Sequence, residues 1–255
     1  PTLGMICQRY EDNKSFVPVP YWMLEVATAK AGVRFNVTSE KKYEVETVAD
    51  EDLRRTKQAC QLKVISVEKK QTHTKPPLLH DLTSLQRAAN GKYGFTADDT
   101  LKMAQSLYEK KYLTYPRTGS RYIPADVFGE IPALIDKICG YETFASAARA
   151  LKGKKLCRKS VNDSKVTDHH ALLPTGVMPK DMTDKERKVY DLVCGRMLEA
   201  FGEDHVADVT NVIFTAGDVR YKAHGSIPVY MGWKQVFGNA PEPAEGKEDE
   251  DPDVQ

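Results

Sequence analysis

Tyr115 and Arg117 stand two residues apart around Pro116, within Lys111-Tyr112-Leu113-Thr114-Tyr115-Pro116-Arg117-Thr118-Gly119-Ser120-Arg121-Tyr122. Proline drives the residue before it out of the helical region, so Tyr115 is expected to be extended and to end any preceding helix. Side chains at i and i+2 of an extended segment share a side, which would set the phenol beside the guanidinium. A phenol, with an ordinary pKa of about 10, is a weak nucleophile until a neighbour favours the phenolate or takes its proton. A guanidinium favours the phenolate and also grips phosphate through paired N–H donors. The pair therefore suits attack on a phosphodiester. Taken alone, Tyr-Pro-Arg-Thr is also an ordinary turn with a solvated arginine, so its surroundings decide.

Two other strings carry chemistry. In Thr167-Asp168-His169-His170-Ala171-Leu172-Leu173-Pro174-Thr175, an imidazole can donate to a phosphate oxygen or stabilise charge that develops in a transesterification. The bland alternative is an exposed histidine pair. Lys152, Lys154, Lys155, Arg158, Lys159 and Lys165 crowd a short glycine-containing stretch and suit contacts with backbone phosphates; a solvated loop would look the same.

The 255 residues can hold one large or two modest domains. A net charge of +1 conceals an uneven distribution: residues 61–170 carry 19 Lys and Arg against 11 Asp and Glu, whereas residues 241–255 carry one Lys against seven acids. The basic middle favours a polyanionic partner. Five cysteines, an odd number without paired metal-ligand spacing, argue against a disulfide framework or zinc ribbon and fit a reducing cytosol. No apolar run reaches the ~20 residues of a membrane span, so no membrane partner is expected.

The elements that must position these residues follow from periodicity. Residues 2–14 read as a short helix stopped by Phe16-Val17-Pro18-Val19-Pro20. Residues 21–30, the alternating Val33, Phe35 and Val37, the alternating Tyr43 and Val45, and residues 62–71 read as strands, with a charged helix over 50–60. From Pro76 the period becomes helical. Asp81 caps a helix with Leu82, Leu85, Ala88 and Ala89 on one face and Asn90-Gly91 as its stop. Thr96 with Asp99 opens the next, whose stripe is Leu101, Ala104 and Tyr108, so Tyr115 falls in a loop just past a packed helix. Helices are expected at 125–139 and 142–151, and Thr183 with Glu186 forms a capping box before Val189, Leu192, Val193 and Met197. Strands return near 209–214 and at Val219, Tyr221 and Ala223, joined through Ala216-Gly217-Asp218. The expected class is multidomain α+β. A β domain over 1–72 and 204–238 is interrupted by a helical domain over 73–203, and 239–255 is an acidic linker or cut end.

Pro77-Leu78-Leu79-His80-Asp81-Leu82-Thr83-Ser84-Leu85-Gln86, Gly94-Phe95-Thr96-Ala97, Thr100 to Glu109 and Tyr115-Pro116-Arg117-Thr118 together resemble the active-site region of type IA DNA topoisomerases, nearest the bacterial topoisomerase III branch. The resemblance covers about 1–237. It implies that the β segment forms part of an arch and that the helical segment is a winged-helix or CAP-like domain carrying the nucleophile, with movement between them opening a gate for DNA. It maps the nucleophile onto Tyr115 and the catalytic histidine onto His169, leaving His170 a weaker candidate, with Arg117 at the scissile phosphate. Arg121, Ser84, Gln86, Lys154, Lys155, Arg158 and Lys159 are the DNA-binding candidates. Gly119 departs from the aspartate that many relatives carry there.

The same resemblance implies ATP-independent cleavage and rejoining of one strand, to relax or decatenate DNA. It implies single-stranded DNA and DNA-processing proteins such as a helicase as partners, in the bacterial cytoplasm at the nucleoid. Mg2+ would be held by an acidic N-terminal domain not found in this sequence, so no metal ligands are expected here. The chain is accordingly expected to be a central fragment with an incomplete catalytic set. The rivals are a non-catalytic winged-helix nucleic-acid-binding module, a tyrosine recombinase-like transferase, which would place its tyrosine after the histidine, and a hinge with no DNA role.

Overall fold

The computed structural model describes residues 1–166 and 168–238; Thr167 and the acidic stretch 239–255 lie outside the described residues. The chain divides into two compact units, one of residues 1–71 with 208–227, the other of residues 72–207 with those from 228 onward.

The first unit is built on an antiparallel sheet. Helix α1 (Thr2–Ser15) precedes it and buries none of its side chains. Strands β1 (Glu25–Lys30) and β2 (Val33–Ser39) pair as a hairpin with Val26 opposite Val37. The turn places Ala31 and Gly32 at φ 51° and 82°, a left-handed conformation that glycine adopts without penalty. Helix α2 (Glu46–Ala59) follows, then β3 (Lys63–Thr74). With β4 (His205–Ala216) and β5 (Val219–Tyr230) the sheet order is β1-β2-β5-β4-β3.

The core of this unit gathers Leu24, Val37, Tyr43, Ala49, Phe214, Ala216, Val219 and Tyr221. Its polar groups are paired: Tyr43 donates to Asp52 at 2.8 Å, Arg55 bridges Asp52 and Asp218, and the hydroxyls of Thr56 and Tyr221 bond each other at 2.6 Å. One expectation fails here. Tyr43 and Val45 do not form a strand; Tyr43 makes one isolated bridge to Trp22, because the chain turns at once into α2 with Val45 as its N-cap. Strand β3 corresponds to the strand expected over 62–71. It is exposed on both faces along nearly its whole length, and Glu68, Lys69 and Lys70 keep this edge of the sheet soluble.

The second unit is helical. It comprises α3 (Leu82–Tyr93), α4 (Ala97–Glu109), α5 (Ala125–Ile138), α6 (Ala145–Leu151) and α7 (Asp184–Ala200). Their apolar stripes meet in one cluster that includes Leu85, Ala104, Leu107, Leu113, Ile123, Ile135, Val193 and Phe201. Each expected N-terminal cap is present. Asp81 accepts from the Ser84 N–H and closes a capping box, Thr96 accepts from the Asp99 N–H, and Thr183 and Glu186 cap each other reciprocally. Helix α3 runs through the expected stop at Asn90-Gly91 and ends at Gly94, whose φ of 70° provides the left-handed C-cap. No described helix is long and apolar enough to cross a membrane.

Candidate active site around Tyr115

The site lies within the second unit. Leu107 and Ala104 are fully buried on the core side of α4, which fixes the helix whose end launches the tyrosine loop. Helix α4 stops at Glu109, and Lys111 takes a left-handed φ of 64° that turns the chain. Tyr112 and Leu113 then drop into the core, and the Tyr112 hydroxyl donates to Asp181 while accepting from the Lys180 N–H. Lys110 reaches the Asp181 carbonyl at 2.8 Å and the Glu186 carboxylate at 3.0 Å. Ser106 donates to the same carboxylate at 2.6 Å. Burial alone would raise the Glu186 pKa. The hydrogen bonds from Ser106, Thr183 and Lys110 outweigh it and hold the carboxyl at about 2.

A short antiparallel ladder joins the tyrosine loop to the histidine string. Leu113 bridges Pro174, Thr114 donates through its N–H to the Leu173 carbonyl at 2.9 Å, and the Leu173 N–H donates to the Thr114 hydroxyl at 3.0 Å. The Thr175 N–H donates to the Tyr112 carbonyl at 3.0 Å. Beyond Leu173 the string changes partners: the Leu172 N–H donates to the His80 carbonyl at 2.8 Å and the Ala171 N–H to the Tyr122 carbonyl at 2.9 Å. The Thr118 hydroxyl then donates to the His169 carbonyl at 3.0 Å.

These bonds bring Tyr115 and His169 together. Their ring centroids are 4.6 Å apart with the planes tilted 49°. On another side the Tyr115 ring meets the edge of Tyr108 at 5.4 Å. Tyr115 is half-buried, held by rings yet open to a ligand, and its neighbour Arg117 is exposed. Among the described residues no hydrogen bond or ion pair engages the Arg117 guanidinium, which leaves it available to an incoming anion. Tyr108, assigned from periodicity to the apolar stripe of α4, is 40% exposed and instead serves as a wall of this site.

The other candidates are placed differently. Ser84 spends its hydroxyl on the α3 cap and on His80, and Gln86 donates to the Ala97 carbonyl at 2.9 Å. Arg121 donates to the Leu79 carbonyl at 3.1 Å. In the basic loop, Lys154 pairs with Glu203 at 2.6 Å and reaches Tyr230, Lys159 donates to the Pro76 carbonyl, and Arg158 lies 4.4 Å from the Phe128 ring centre. Lys155 is exposed with no hydrogen bond or ion pair among the described residues. His170 turns its Nδ1 to the Ala171 carbonyl.

His80, which sequence reading treated only as part of a motif, is fully buried behind the loop. Burial, with the charges of Arg196 and Arg121, holds its pKa well below the ordinary 6.5. Among the described residues, no group of three or more His, Cys, Asp or Glu side chains converges as a metal site would require.

The family model described as DNA topoisomerase matches residues 1–255. DNA topoisomerase 3 of Bacillus subtilis is 36% identical over 261 residues, covering 98% of this chain and 35% of that protein. DNA topoisomerase 3 of Bacillus licheniformis is 38% identical over 252 residues, covering 95% and 34%. The solved structure of full-length topoisomerase I from Thermotoga maritima shares the fold with a TM-score of 0.67 at 20% identity, over 97% of this chain and 41% of that one. The chain thus spans about a third of the length of these curated relatives. With a match along its whole length and relatives above the level at which families diverge in fold, the chain belongs to the type IA DNA topoisomerases.

Proposed function

We propose that Tyr115 is the nucleophile of a strand-cleaving topoisomerase acting on single-stranded DNA. The Tyr115 Oη–phosphorus bond forms as a phosphorus–oxygen bond of the strand breaks, and the departing sugar oxygen takes up a proton. Rejoining reverses both changes. One phosphodiester is exchanged for another, so the cycle requires no ATP. Arg117 binds the non-bridging oxygens, where its fork of donors also stabilises the phenolate. His169 donates to an oxygen on which charge develops. Magnesium and the proton donor come from another part of the working protein, and the steps assigned to this chain fall to Tyr115, Arg117 and His169. The sheet-based unit acts as part of an arch and the helical unit as a winged-helix-like carrier of Tyr115. Strand passage relaxes or decatenates DNA in the bacterial cytoplasm, alongside DNA-processing proteins such as a helicase.

The observation that carries this reading is the contact between the Tyr115 and His169 rings at 4.6 Å, with Tyr115 two residues before the exposed Arg117, in a chain matched throughout by the family. To test it, residues 1–238 replace the corresponding third of the B. subtilis relative, and the chimera is incubated with end-labelled single strands and magnesium. A denaturation-resistant protein–DNA adduct that disappears in Tyr115→Phe sustains the proposal. An adduct that survives Tyr115→Phe, or a folded, DNA-binding chimera that forms none, refutes it in favour of a non-catalytic binding module. The chain alone is expected to bind single strands weakly and to leave supercoils unrelaxed.

A further inference from the structure

Thr118 is pinned from several directions. Its carbonyl accepts from the Leu82 N–H at 3.1 Å, the first residue of α3, and its hydroxyl accepts from the Ser120 N–H at 3.1 Å while donating to the His169 carbonyl at 3.0 Å. The side chain is buried, with 6% of its surface exposed, whereas His169 is exposed. A buried, doubly bonded hydroxyl therefore grips the backbone of an exposed residue 51 positions further along the chain.

We propose that the Thr118 hydroxyl is a positioning group that holds the His169 imidazole against the Tyr115 ring. The inference rests on the roles proposed above for Tyr115 and His169. Other ties between the two loops fall on neighbouring residues. Ser120 donates to the Lys165 carbonyl at 2.9 Å and the Ala171 N–H donates to the Tyr122 carbonyl at 2.9 Å, each two or more residues from His169. The Thr118 bond lands on His169 itself. It restrains the peptide from which the His169 Cα–Cβ bond departs, and a short side chain with two rotatable bonds inherits that direction. Because α3 anchors Thr118 from behind, the restraint is transmitted to His169 from a packed element. Because His169 is an exposed residue, water can reach its carbonyl when the hydroxyl is removed. The main consequence of the loss is then a displaced imidazole rather than an unfolded chain. A displacement of about 1 Å in such a group typically costs up to a hundredfold in rate.

The test uses the 255-residue chain with isotope-labelled histidine. The ring-proton signals of His169 are assigned by their loss in His169→Gln, and the part of their shift due to the Tyr115 ring is defined by Tyr115→Leu. Thr118→Val, which keeps the shape and removes the hydroxyl, is expected to abolish most of that Tyr115-dependent shift. Thr118→Ser, which keeps the hydroxyl, is expected to retain it. In the chimera, Thr118→Val should form adduct about ten- to a hundredfold more slowly, with Thr118→Ser restoring most of the rate. If Thr118→Val also disturbs the signals of the other five histidines, Thr118→Ala replaces it under the same criterion. A full Tyr115-dependent shift without the hydroxyl, or its loss in Thr118→Ser with the other histidines unmoved, overturns the proposal. The spectra need no DNA, so failure of adduct formation at Tyr115 refutes the catalytic reading without bearing on the latch.

Discussion

The imidazole of His169 packs against the phenol ring of Tyr115 with ring centroids 4.6 Å apart, although the two lie 54 positions apart in the chain. In the proposed reading His169 donates to an oxygen on which charge develops, and the contact sets its ring beside the phenol ring. Removing one pre-aimed donor at a centre of developing charge commonly costs about a hundred- to a thousandfold in rate. His169→Ala in the chimera is therefore expected to slow adduct formation by about that factor, with the remaining adduct still attached to Tyr115. Rapid-quench measurement on labelled single strands reads the rate, and a fall of less than about threefold would show that the imidazole only packs.

The basic residues divide by what already holds them. Lys154 is committed to Glu203 and Tyr230, and these partners raise its pKa, Glu203 being the principal cause. Lys155 and Arg117 are exposed, with no hydrogen bond or ion pair among the described residues. Each phosphate contact with a single strand adds about 0.7 to the slope of log affinity against log salt. Arg117→Ala and Lys155→Ala are each expected to reduce that slope by about 0.7 for the chain binding an oligonucleotide, and Lys154→Ala to leave it nearly unchanged. Titrations at several salt concentrations decide. Equal losses from Lys154 and Lys155 would mean that the Glu203 pair opens for DNA.

Sequence patterns carried local structure well because local structure has local causes. The caps at Asp81, Thr96 and Thr183 were legible since a short oxygen-bearing side chain is bonding a backbone N–H three residues away. Alternation at Val219, Tyr221 and Ala223 was legible because one face of β5 is buried there. Tyr43 misleads because it is buried by packing in the core of its unit, with its hydroxyl on Asp52, while its backbone makes only an isolated bridge. The ladder between residues 112–114 and 173–175 has no periodicity to betray it, being too short and too distant in sequence. In the basic loop, charge was visible but Glu203 and Phe128, which occupy Lys154 and Arg158, were not. The meeting of Tyr115 with His169 was implied only by family resemblance; no spacing rule connects residues joined by a ladder of this kind.

His80 gives the helical unit an acid-sensitive point. It is buried to 2% exposure, its Nδ1 lies 3.0 Å from the Ser84 hydroxyl, and burial together with Arg196 and Arg121 disfavours its charged form. Below its ordinary pKa of 6.5 the unfolded chain binds a proton there that the folded chain does not. Stability must then fall as the pH drops, by up to about 1.4 kcal/mol per pH unit, until the lower folded pKa is reached. His80→Gln removes this proton uptake. Urea unfolding is expected to show the parent chain losing more stability than the variant between pH 6.5 and pH 5, by about 2 kcal/mol at most. Parallel pH dependences would show that His80 charges in place.

The carboxylate of Glu186 gives the same direction of pH dependence at lower pH, from a charge that folding favours rather than one that burial disfavours. It caps α7, accepts from Ser106 and binds Lys110, so it joins the end of α4 to the start of α7 directly beneath the tyrosine loop. Its side chain is 7% exposed. Its folded pKa of about 2 lies below the 4.5 of an unperturbed glutamate, so the folded state prefers the charged form. The resulting stabilisation is complete above about pH 4.5 and declines as the pH falls toward 2. Converted directly, the shift corresponds to about 3 kcal/mol as an upper figure. Glu186→Gln keeps the shape and much of the cap while removing the charge that Lys110 needs. It should destabilise the chain by about 1 to 3 kcal/mol at pH 7, and the deficit should narrow steadily below pH 4.5. Lys110→Met should act on the same term, so the double variant should fall short of the sum of the two single losses. A pH-independent deficit would assign the loss to the cap alone, with the ion pair contributing nothing to the seat of Tyr115.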